Sequence, residues 1–62
     1  MASLKQKVYS NAREEAGSHD SYMRLAKQLK EAGKNREARS VRAIAKDEAA
    51  HYRTLRKIQS RI

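Results

Sequence analysis

The sequence has no cysteine, so disulfides, thiolate metal ligands and cysteine nucleophiles are all excluded. It has no proline to break a helix, and no Phe or Trp to anchor an apolar core. Only two glycines, Gly17 and Gly33, punctuate it. No apolar run approaches the roughly 20 residues of a membrane span. The opening MASLKQ lacks the apolar stretch of a secretory signal. A cytoplasmic protein that does not enter a membrane is expected. Acidic residues are scarce as well: seven Asp and Glu stand against fifteen Lys and Arg, a formal net charge of +8. That balance favours acidic partners, whether nucleic acid, an anionic surface or an acidic protein, without choosing among them.

Sixty-two residues make one small domain, 1–62. Domains of this size bury only about 60% of their unfolded surface. Without disulfides they need another staple: a metal, self-association or very regular helix packing. What is abundant are helix formers, namely alanine, lysine, arginine, glutamate and leucine. Ser3 followed by Gln6 reads as a capping box. From there Leu4, Val8, Ala12, Glu15, His19, Tyr22, Ala26 and Leu29 recur in steps of three and four, the period of a helix. Gly33 suits a left-handed stop, and Asn35 suits the N-cap of the next helix. The second register runs Ala38, Val41, Ile44, Ala45, Glu48, His51, Tyr52, Leu55, Ile58 and Ile62. The spacing predicts helices over about 4–32 and 36–61, joined by a turn short enough to make them antiparallel. Gly17, inside the first helix, costs about 1 kcal/mol relative to alanine. Close approach of a neighbouring helix or a local π-bulge would account for it.

Two striped helices cover each other on one side only. The expected architecture is therefore an all-α hairpin that homodimerises into a four-helix bundle, or assembles further.

Glu15, His19, Glu48 and His51 interrupt the apolar stripes. An ionised carboxylate in a core is unfavourable unless it is paired or binds a metal. Glu48 and His51, at i and i+3, share one helix face. Counted from the turn, Glu15 and Glu48 fall at similar levels near the middle of the hairpin. Two chains would bring four carboxylates and two imidazoles, matching the charge of two divalent cations. Iron or manganese suits such donors, and so does zinc.

At these residues a family resemblance enters. A Glu on one helix with Glu-x-x-His on the next is half of the ferritin-like di-iron pattern. Glu15, Tyr22 and Ala26, followed by Ile44, Ala45, Glu48, His51 and Leu55, resemble one half of a rubrerythrin-type domain, over roughly 8–58. The resemblance implies Glu15 as a terminal or bridging ligand, Glu48 as the bridging carboxylate and His51 as a terminal nitrogen ligand. It implies Tyr22 as a phenol behind the ligands, two irons per dimer, and dioxygen or peroxide as oxidant. It further implies a di-iron oxidoreductase, of ferroxidase or peroxide-reducing type. The family usually carries both halves in one chain, so here the site would lie between two chains, as in encapsulated ferritin-like proteins. Rubrerythrins commonly add a cysteine-ligated iron domain as electron relay, which a chain without cysteine does not supply.

His19 matches no ligand of that pattern and is expected as a partly exposed packing residue. Tyr9 and Tyr52 are expected at the stripe edges. Asp47 is assigned to steady a His51 imidazole across the dimer. Two other functions fit the composition. One is a basic helical module for nucleic acid using Arg36, Arg39, Arg42, Arg53, Arg56 and Lys57, although the positive residues are distributed around both helices and form no recognised DNA-binding motif. The other is a metal-free structural dimer.

Overall fold

The computed structural model describes residues 3–62; the first two residues of the expected domain lie outside the described residues. Two helices, α1 (Leu4–Glu31) and α2 (Asn35–Arg61), form an antiparallel hairpin, with no strand among the described residues. The start of α1 follows from its capping chemistry. The Ser3 hydroxyl accepts from the Gln6 amide at 3.1 Å, and the Gln6 side chain accepts from the Ser3 amide at 3.0 Å. Two of the helix's orphan donors are thus satisfied reciprocally.

The end of α1 is equally specific. Gly33 has φ +80°, a conformation open to glycine at little cost. Its amide donates to the Lys30 carbonyl at 3.0 Å, and the Lys34 amide donates to the Leu29 carbonyl at 2.8 Å. This pair of bonds is a Schellman closure, which satisfies the last carbonyls and reverses the chain. The next helix departs from expectation. Lys34, not Asn35, is the N-cap; it offers no side-chain bond, and Asn35 is already helical. The tight exit from the Schellman closure leads straight into the ladder, with the Ala38 amide on the Lys34 carbonyl at 2.9 Å. Glu37 in the first turn complements the helix dipole instead.

The seam between the helices is made of alanine. Ala12, Ala26, Ala38 and Ala45 are each about 1% exposed, and no large side chain among the described residues is fully buried. The hairpin is a slab of 46 × 19 × 10 Å. Its larger apolar residues stay in water: Leu4 is 73% exposed, Ile62 58%, and Leu25, Ile44 and Ile58 about 40%. Full burial of such a side chain stabilises by about 1.5–3 kcal/mol. Half-covering five of them forgoes on the order of 5 kcal/mol, a large fraction of a small domain's stability. No described helix is long and apolar enough to cross a membrane.

Gly17 lies in unbroken α-helix, so no π-bulge accounts for it. A Cβ placed there would meet nothing within 4 Å, so close approach of α2 does not account for it either.

Candidate metal centre

Glu15 comes from α1, and Glu48 and His51 come from α2. The antiparallel pairing brings the three together at mid-hairpin. One ligand atom from each lies within 4.8 Å of the others. His51 Nδ1 stands 3.6 Å from Glu15 Oε2, too far for a hydrogen bond. With bonds of about 2.1 Å, donors on one transition metal sit roughly 3–3.5 Å apart. The Glu15–His51 separation is thus close to what a shared cation needs, and the 4.8 Å bound on the set asks for a contraction of about 1 Å.

The electrostatics are those of a site short of positive charge. Glu15 Oε2 is buried and has no hydrogen-bond partner. An acceptor left so costs about 1–3 kcal/mol. The Glu15 carboxyl, sharing a hydrogen bond with Glu48, raises the Glu48 pKa above its ordinary value. Burial and the negative charge of Glu15 push the same way, with a smaller push from Asp47; His51 pulls against them. Two carboxyl groups at this separation resist full ionisation together, and a cation between them removes the conflict. An orphaned oxygen, a carboxyl pair and an imidazole on one point fit a di-metal half-site.

The residues singled out from the sequence divide cleanly. Glu15, Glu48 and His51 meet. His19 does not join them: it is partly exposed, and its Nδ1 lies 3.2 Å from Asp20 Oδ1. Tyr22 is half-buried two helical turns beyond Glu15, on the same row. Tyr9 and Tyr52, expected at the stripe edges, instead line a groove with Arg13, Gly17, Asp20 and Arg56. Glu15, Glu48 and His51 do not line that groove. The signal for it lay in a second helical row beside the apolar one, which the emphasis on apolar residues passed over.

A family model described as Rubrerythrin matches residues 3–59. No curated protein and no solved structure gives a significant match to the chain.

Proposed function

This chain belongs to the rubrerythrin family, and on that premise we propose that it is half of a ferritin-like di-iron protein whose site is completed by a second copy. The observation that carries the proposal is the convergence of Glu15, Glu48 and His51, their ligand atoms within 4.8 Å, the only such set among the described residues. The exposed Leu25, Ile44 and Ile58 supply the reason to pair. They lie on the same side of the slab as the three donors, by the three-and-four spacing of their rows. Covering that side with a second hairpin would complete a bundle and bring two donor sets together.

In this arrangement Glu15 and Glu48 hold the metal through deprotonated carboxylates, and His51 through an imidazole nitrogen. Bound there, a pair of iron ions would supply two-electron redox chemistry toward dioxygen or peroxide, with manganese or zinc as less fitting occupants. The surrounding apolar row, once covered, excludes water from the donors and strengthens their hold on charge. Tyr22 would orient a ligand carboxylate from behind. The reaction class is ferroxidase or peroxide reduction, with electrons supplied from outside the chain.

The test is metal-dependent stability. Protein purified without chelator should carry about one metal per chain. At a metal concentration near 100 times Kd, binding adds about 2.7 kcal/mol. In a chain this small that raises Tm by roughly 10–20 °C. Fe(II) or Mn(II) should give this rise in wild type and none in Glu48→Ala or His51→Ala. An equal response in all three proteins would refute the site.

A further inference from the structure

The second face of the slab carries its own pattern. On α2, Arg39, Arg42, Lys46, Ala49, Arg53 and Arg56 recur in steps of three and four. That row is offset by two residues from Val41, Ile44, Glu48, His51, Leu55 and Ile58. Two residues are about 200° of helix, so the rows lie on nearly opposite sides. On α1, Tyr9, Arg13, Ala16 and Asp20 take the matching position. The structure joins the two: Tyr9, Arg13, Ala16, Asp20, Tyr52 and Arg56 line one groove of about 530 Å³. A second hollow, bordered by Ala49 and Arg53, shares Ala16, Asp20 and Tyr52 with it. Arg39, Arg42 and Lys46 line a third further along α2. Six of the fifteen Lys and Arg, namely Arg13, Arg39, Arg42, Lys46, Arg53 and Arg56, thus share the side away from the candidate metal centre.

Two further observations point outward. Among the described residues no Lys or Arg lies within 4.0 Å of a carboxylate; the only ion pairs there involve histidine. The basic side chains are exposed and unneutralised. Gly17 borders the groove, and a Cβ there would meet nothing of this chain, so the groove is open to a partner at that point. Both facts make sense when something anionic lies against this face.

We infer that the basic face binds the phosphodiester backbone of duplex nucleic acid, independently of base sequence, while the opposite face holds the metal. Five of the six cations named are arginine, whose planar fork matches phosphate oxygens two at a time. The face is straight, 46 Å long and 19 Å wide, and offers no element to enter a groove or read base edges. It presents few apolar side chains to insert among lipid tails, which disfavours a bilayer surface.

The experiment is a salt titration of full-length protein against a labelled DNA duplex, read by fluorescence anisotropy. Each phosphate neutralised contributes about 0.9 to the slope of log K against log salt. Engagement of most of the six cations gives a slope of magnitude about 4–5. Replacing Arg13 and Arg56 by Gln should lower that slope by about 2, on the same scale. Replacing Lys7 and Lys34, which lie off this face, should leave it unchanged. An equal fall in both double variants would overturn the face assignment. Equal or tighter binding to polyglutamate or to phosphatidylserine vesicles would overturn nucleic acid as the ligand. Glu48→Ala should bind the duplex as wild type does, so a failed metal site and a failed basic face are read separately.

Discussion

The two broad sides of this hairpin have nearly the same backbone and opposite chemistry. One carries Ile44, Leu55 and Ile58 around Glu15, Glu48 and His51. The other carries Arg39, Arg42, Arg53 and Arg56 along a line of three shallow hollows, one of them floored by alanine and Gly17. On the first side polar groups are few and crowded, with the two carboxyl groups half-buried and the imidazole exposed, and they perturb one another. On the second they are many, exposed and spaced, so they act by summed field and not by mutual contact. A two-residue offset along α2 separates the two behaviours. In a slab one helix thick, the phase of the helical repeat alone decides which surface gathers carboxyl and imidazole groups and which gathers the basic row.

The largest effect that tests this division is on self-association. Ile44→Asp places a charge in the apolar row and should weaken association by about 100-fold or more, as burying an unpaired carboxylate costs several kcal/mol. Arg42→Asp, two residues earlier on the other row, should leave association almost unchanged. Analytical ultracentrifugation over a concentration series separates the two. Comparable loss in both variants would mean that the sides are not distinct.

A smaller effect concerns protons. In the metal-free chain Glu48 is held above its ordinary value of 4.5, first by the hydrogen bond shared with Glu15 and then by burial. The folded state therefore binds that proton more tightly than the unfolded state does. The resulting stability is present at acid pH and is lost as pH rises through the folded pKa. Glu48→Gln removes the dependence, so its Tm should gain on wild type as pH climbs from about 4.5 toward neutrality. With metal present the wild-type trend reverses, because binding displaces the proton and strengthens with pH. A constant difference in Tm across that range would argue against the shared proton.

The smallest effect belongs to the basic side. Gly17→Ala should stabilise the metal-free protein by about 0.5–1 kcal/mol, from helix propensity alone, since its added methyl meets nothing in the chain. A chemical denaturation curve measures this directly. Destabilisation instead would show that Gly17 is already packed in the solution assembly.

Much of this was legible in the residues themselves. The Ser3–Gln6 capping box and the left-handed Gly33 are local chemistry, and local chemistry needs no tertiary information. The meeting of Glu15 with Glu48 and His51 followed from counting outward from a short turn. The Asn35 N-cap failed because the Schellman closure at Gly33 shortens the turn and commits Asn35 to the helix, which a propensity scale does not register. The orphaned oxygen on Glu15 was not legible, because its 3.6 Å separation from His51 exceeds hydrogen-bond range by only a few tenths of an ångström. The sequence offers Arg39, Arg42, Arg53 and Arg56 as phosphate contacts, but not their gathering on one face. A +8 chain shows positive residues at most windows of the sequence, and their segregation emerges only once the phase of both helices is fixed against a common seam.

That seam has one more consequence. Ala12, Ala26, Ala38 and Ala45 are the spacers of the hairpin, and their methyl groups set how far apart the helix axes stand. Because Glu15 hangs from one axis and Glu48 and His51 from the other, the spacing of these three candidate donors is gauged by side chains that are not among them. A bulkier spacer such as leucine at Ala45 would spread the three apart with every donor still present, and so change the size of any cation they could share.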